Sequence, residues 1–129
     1  MKIKMTAIPV DEQQKALDFY TDVLGFEKKQ DIPVGEFRWI SVISPEGNDT
    51  ELSLEPNVNP ASKAYQESLL EQGIPITGFE VDDLEAEVKR LKSHNVAFTM
   101  EPTDAGTVWI AVFADTCGNL IQIYQHKTE

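Results

Sequence analysis

The sequence predicts an α+β fold: two tandem β-α-β-β-β modules forming a curved, partly open, barrel-like sheet with helices outside. Three observations predict it. The chain matches itself at an offset of 71 residues, strand-like and helix-like periodicities follow one another in the same order in both halves, and 129 residues with 41% hydrophobic content suffice for one domain. That domain, residues 1–129, divides into module one (1–55), a linker helix (56–74) and module two (75–129).

The self-match rests on three places that share the offset. Ala7-Ile8-Pro9-Val10-Asp11 falls on Gly78-Phe79-Glu80-Val81-Asp82, where a strand end meets a helix start. The amphipathic run after Asp11 falls on the one after Asp82, and Gly47-Asn48 falls on Gly118-Asn119 without a gap.

Element by element, Lys2–Val10 alternates sides and reads as a strand. Asp11 is the expected N-cap of a helix on which Ala16, Leu17, Tyr20, Val23 and Leu24 recur at helical spacing until Gly25. Strands are expected near Phe26–Ile32, Phe37–Ser44 and Glu51–Glu55, parted by Pro33/Gly35 and by Pro45 with Gly47-Asn48. Asn59-Pro60 resembles an N-cap followed by proline at the first helical position, and opens a helix over Ala61–Glu71 that ends at Gly73. The second module repeats the order: a strand at Ile76–Val81, a helix capped by Asp82 or Asp83 and carrying Leu84, Val88 and Leu91, then strands near Val96–Met100, Val108–Ala114 and Leu120–Gln125.

Composition narrows the function. A net charge of −11, from 22 acids against 11 bases, repels phosphate backbones, so nucleic acid is not an expected partner. No apolar run approaches the roughly 18 residues that would span a bilayer, and no apolar h-region follows the N-terminal charges, so neither a membrane span nor a signal peptide is expected. Cys117 is the sole cysteine, which leaves no internal disulfide and no cysteine cluster for zinc, and points to a reducing, cytoplasmic setting.

Because a strand sends alternate residues to opposite faces, the larger apolar sets should meet the helices: Thr6, Ile8 and Val10 with Leu52 and Leu54, and Thr77, Phe79 and Val81 with Ile121 and Ile123. The alternates are then left for a groove. Met5, Glu51, Ile76 and Gln122 line it as a quartet related by the 71-residue offset, with Tyr124 nearby as a hydrogen-bond donor.

These residues carry a resemblance. Val10-Asp11-Glu12, Ala16-Leu17-Asp18-Phe19-Tyr20 and Leu24-Gly25-Phe26 resemble the first-module signature of the vicinal oxygen chelate superfamily, which includes glyoxalase I, extradiol dioxygenases, methylmalonyl-CoA epimerase and the fosfomycin and bleomycin resistance proteins. Phe79-Glu80-Val81-Asp82-Asp83 resembles its second-module start. The run Phe113-Ala114-Asp115-Thr116-Cys117-Gly118-Asn119-Leu120-Ile121-Gln122 resembles its closing F-x-D-P-x-G-N-x-x-E pattern. The resemblance implies a homodimer. It also implies that Met5, Glu51, Ile76 and Gln122 stand where metal-dependent members place His or Glu ligands. Only Glu51 keeps a typical ligand type, so no metal cofactor is expected, since such sites use three or more good donors.

Other candidates follow from side-chain chemistry. Glu51 in an apolar groove would have its pKa raised by burial and would act as a general base; its structural alternatives are a hydrogen bond to Gln122 or a contact with Arg38. Arg38 and Trp109 share an equivalent position and Trp39 adjoins the first, a combination suited to an anionic or aromatic ligand. His94 and His126 are expected at exposed places. Glu55 and Glu80 are expected at the groove mouth in water, the alternative being an acidic cluster with Glu51 that attracts a cation, and Cys117 is expected in a turn without a catalytic partner. Three functions follow, in order: a metal-independent small-molecule binder, using Met5, Arg38, Trp39, Glu51, Ile76, Trp109, Gln122 and Tyr124; an enzyme of the glyoxalase, epimerase or dioxygenase kind with Glu51 as ligand or base; and a ligand-free interaction module.

Overall fold

Alternation of apolar and polar residues in the eight strands builds two four-stranded sheets, each with a helix on one face. The computed structural model describes residues 1–47 and 49–128; Asn48, and with it half of the expected Gly47-Asn48 turn, lies outside the described residues. The chain divides into two compact units, Met1–Tyr65 and Gln66–Glu129.

The first unit holds β1 (Met5–Val10), α1 (Gln13–Asp18), β2 (Glu27–Val34), β3 (Phe37–Ile43) and β4 (Glu51–Pro56), in sheet order β1-β4-β3-β2. Only the β1–β4 pair is parallel, with Met5 beside Glu51 and Ile8 beside Leu54. Ile8, Val10, Ile40, Val42 and Leu54 are buried on the face that packs against Ala16, Leu17 and Tyr20. Gln13 ties the helix to the sheet: its amide nitrogen donates to the Arg38 and Leu54 carbonyls at 2.6 and 2.9 Å, and its oxygen accepts from the Arg38 N–H at 3.0 Å. Burying an amide is tolerated because all three groups are satisfied.

Three local expectations are corrected. The N-cap of α1 is Glu12, whose carboxylate accepts from the Lys15 N–H, while Asp11 is drawn to the Lys15 ammonium at 3.0 Å. Past Asp18 the helix continues as a π-helical turn, Phe19–Val23, in which the Leu24 N–H reaches back to the Phe19 carbonyl. The Thr21 hydroxyl takes the Leu17 carbonyl at 2.7 Å, and Phe19 and Tyr20 both stay buried. Finally, β1 begins at Met5 rather than Lys2, because the ladder with β4 begins only at Met5–Glu51.

The second unit holds β5 (Thr77–Glu80), α3 (Leu84–Ser93), β6 (Phe98–Asp104), β7 (Val108–Ala114) and β8 (Leu120–His126), in the matching order β5-β8-β7-β6. Leu84, Val88 and Leu91 of α3 are buried, as are Ala111, Phe113, Ile121 and Ile123 on the sheet face it covers. Asp83 caps α3 through the Ala86 N–H at 3.1 Å. Glu85 and Glu87 in the first turn and Arg90 and Lys92 in the last favour the helix dipole.

β2 and β6 both run past their expected ends, through Pro33 and Pro102 respectively. Proline removes a ladder donor, but each of these is an edge strand, where the donor has no partner to lose. Between β4 and β5 in the chain, α2 (Pro60–Gln72) starts and ends close to expectation, with Gly73 at φ +73° closing it. Its buried side chain, Gln66, donates to the Cys117 carbonyl at 3.1 Å and to Asn119 Oδ1 at 3.0 Å. Asp115 organises the same turn: Oδ1 accepts from the Cys117 and Asn119 N–H groups, and Oδ2 from the Asn119 side-chain amide. That turn leads directly into β8.

Candidate functional site

The face of the first sheet turned away from α1 carries the candidate site. Cross-strand partners share a face, so the registers place Met5, Glu51 and Ser53 there with Ser41, Gln30 and Trp39. Glu51 is the half-buried centre of a hydrogen-bond set. Its Oε1 accepts from the Ser41 hydroxyl at 2.6 Å and from the Gln30 amide at 2.9 Å. An open recess of about 380 Å³ beside it is lined by Lys4, Lys29, Ile43, Asp49 and Glu51. Lys4 is engaged with Asp49 at 3.4 Å, whereas Lys29 is the residue bulged out of the β2–β3 ladder.

This environment reverses the expected behaviour of Glu51. The Ser41 hydrogen bond, then the Gln30 hydrogen bond, hold its carboxyl below the usual 4.5, outweighing desolvation, and the charge of Lys29 adds to the effect. Burial does not raise it. A carboxylate stabilised in this way is a weak general base and a persistent anion.

The same registers separate the other expected residues. Trp39 pairs with Ile32 and shares the face of Glu51. Arg38, one residue away, points to the α1 side, where its guanidinium binds Asp31 at 2.7 and 3.0 Å and Gln14 at 2.8 Å. The expected contact of Glu51 with Arg38 is therefore not made, and the pairing of Arg38 with an aromatic wall is corrected. Strand alternation is the reason: Arg38 belongs with Ile40 and Val42, not with Trp39 and Ser41.

In the second unit, Gln122 and Tyr124 lie on the sheet face away from α3, with Gly78 and Glu80 beside them. Trp109 does not join them. It pairs with Gln125 on the α3 side, 40% exposed, with the Lys127 ammonium 4.5 Å from its ring centre. Its equivalence with Arg38 holds, and so it shares the same displacement from the candidate face. The quartet is corrected too. Met5 stands beside Glu51, but the residue beside Gln122 is Gly78. Ile76 precedes β5 and donates its N–H to the Leu120 carbonyl, because the β5–β8 register differs by two residues from that of β1–β4. A shift of two keeps the faces and moves the position.

His94 closes α3 and is exposed, and His126 lies 3.8 Å from Glu80 with both side chains more than half exposed. Cys117 is fully buried. The donor set at the family metal positions, a thioether, one carboxylate, a hydrocarbon and an amide, does not fit a divalent cation. Among the described residues no three His, Cys, Asp or Glu side chains converge. Sequence reasoning missed Ser41, Gln30 and Lys29. Alternation from Trp39 would have placed Ser41 on the face, whereas the β2 bulge that presents Lys29 has no sequence signal.

Comparison with known proteins adds the following. A family model described as Glyoxalase/Bleomycin resistance protein/Dioxygenase superfamily matches residues 2–123. The chain is 56% identical over 126 residues to the uncharacterized protein YurT of Bacillus subtilis (strain 168), covering 97% of this chain and 99% of that one. It is 30% identical over 132 residues to a lactoylglutathione lyase of Neisseria meningitidis serogroup A, covering 99% and 93%. Among solved structures it resembles TnmS3, an antibiotic binding protein from Streptomyces sp. CB03234, at a TM-score of 0.78 and 29% identity, covering 98% of this chain and 97% of that one.

Proposed function

We propose that this chain, which belongs to the Glyoxalase/Bleomycin resistance protein/Dioxygenase superfamily, is a metal-independent small-molecule-binding protein whose ligand lies on the sheet face that carries Glu51. The observation that carries the reading is the state of Glu51. Two hydrogen bonds converge on one of its oxygens, its carboxyl titrates below the usual range, and no second carboxylate or imidazole occupies the other family positions. Such a residue recognises a ligand rather than holding a metal or abstracting a proton. The likeness to TnmS3, an antibiotic binding protein, supports the same reading. The family resemblance supports a homodimer, and the single cysteine a reducing, cytoplasmic setting. No helix among the described residues is long and apolar enough to cross a membrane.

The match to a lactoylglutathione lyase favours a second reading, catalysis. One set of measurements separates the two: elemental analysis of untagged protein, and calorimetric titration of Mn²⁺, Ni²⁺ and Zn²⁺ before and after Glu51→Ala. The binding reading expects no stoichiometric metal and no saturable heat. A tightly held ion that is lost in the Glu51→Ala variant, together with lactoylglutathione lyase activity, would overturn it.

A further inference from the structure

The face that carries Glu51 is chemically lopsided. At one end the carboxylate stands between Met5, its β1 partner, and Ile43 across β3. Its Oε1 takes both hydrogen bonds, and Oε2 is turned to neither donor. At the other end the β2–β3 hairpin presents Ile32 opposite Trp39 and Val34 opposite Phe37. Ile32 and Val34 are 51% and 60% exposed, and Phe37 is exposed as well. Trp39 lies two residues along β3 from Ser41, whose hydroxyl holds the carboxylate at 2.6 Å, so the apolar platform begins about 7 Å from the carboxylate at the usual strand rise. An exposed apolar patch of this kind marks a binding surface more often than bare solvent exposure.

We propose that the ligand is an amphiphilic organic cation, its protonated amine on Glu51 Oε2 and its apolar body laid toward Trp39, Ile32 and Val34. This rests on the small-molecule reading above and adds the ligand's class to it. Charge complementarity selects the occupant. Lys4 is engaged with Asp49, and Lys29 acts on Glu51 only through its field, with no hydrogen bond between them. The net charge of −11 adds a long-range attraction for cations. An anionic head group would pair with Lys29 only by lying against the Glu51 carboxylate in the same recess. Lys29 opposes the proposed amine, so removing it should strengthen binding.

The test is isothermal titration of the intact protein with three probes of one skeleton: 6-phenylhexylamine, 6-phenylhexanol and 6-phenylhexanoate. The amine should bind at least about tenfold more tightly than either partner, equivalent to about 1.4 kcal/mol. Glu51→Gln keeps an acceptor for Ser41 and Gln30 and should bring amine and alcohol within about twofold of each other, or about 0.4 kcal/mol. Lys29→Gln, on the exposed bulge, should tighten the amine alone. Glu55→Gln is the control, since Glu55 lies on the same face near Trp39. Equal binding of amine and alcohol, or a preference abolished by Glu55→Gln and kept in Glu51→Gln, overturns the inference and leaves the small-molecule reading standing. Failure of all three probes to bind, with folding verified by circular dichroism, counts against both.

Discussion

Gly118→Ala is expected to be among the most damaging single-methyl additions to this chain, and its cost can be worked from the geometry. Gly118 sits at φ +99°, where an L side chain costs about 1–2 kcal/mol. A Cβ built there would also stand 2.7 Å from Gln66 Nε2 and 3.1 Å from Gln66 Cδ, so the amide must move. Moving it surrenders the bonds to the Cys117 carbonyl and Asn119 Oδ1, each worth about 1 kcal/mol net. The sum is about 3–4 kcal/mol, read as a shift of the urea midpoint at unchanged slope. Gln66→Ala isolates the second contribution. If the clash is real, Gln66→Ala should cost about 1 kcal/mol or more less in the Gly118→Ala background than in the parent, a coupling of the size contacting residues show. Strict additivity of the two changes, or a Gly118→Ala cost below about 0.5 kcal/mol, would refute the reasoning. The displacement would be passed to Gln122 and Tyr124, because β8, which carries them, begins at Leu120 directly after this turn.

Three further outcomes are expected. Ser41→Ala should raise the Glu51 carboxyl toward its usual 4.5, since the Ser41 hydroxyl is the largest cause of its lowering; side-chain NMR titration that finds no upward movement would contradict this. Glu51, Asp31 and Asp104 all titrate below their usual values in the folded chain, so their stabilisation is complete above the unfolded values near 4 and is lost as pH falls through the folded ones. Urea midpoints should therefore hold level from about pH 7 to 5 and drop below about pH 4, and a drop beginning at pH 6 would point to other groups. Arg38→Ala should cost no more than about 1 kcal/mol of stability, its ion pair being partly exposed, and should leave binding of 6-phenylhexylamine unchanged, whereas Trp39→Ala should weaken that binding.

Much of the fold was legible because its determinants are local. The spacing of Leu84, Val88 and Leu91 marks α3, and Gly73 closes α2. Asp115 with Gly118-Asn119 was legible as a closing pattern, and the structure supplies the reason: the carboxylate gathers two backbone donors and one amide, and the glycine makes room for Gln66. The strand ends were less legible. Proline reads as a stop in sequence, yet Pro33 and Pro102 lie within strands, because their cost depends on whether a neighbour needs the donor, and that is set by sheet order.

The candidate site shows the same division more sharply. Alternation correctly separated Glu51 and Ser53 from Leu52 and Leu54, since parity along one strand is a local property. It was not carried across to β3, and so Arg38 was grouped with Trp39 although adjacent residues of a strand cannot share a face. The offset of 71 residues likewise preserved parity between Ile76 and Gly78 but missed the two-residue difference in register, which depends on how β5 meets β8 and on nothing within β5. The chemistry of Glu51 is less local still. Residue type and apolar neighbours favoured a raised pKa, and only the arrival of Ser41 from β3 and Gln30 from β2 decides the opposite sign. The basicity of this carboxylate is thus set by donors on the neighbouring strand and on the one beyond it, and that sign is what weighs against Glu51 as a general base.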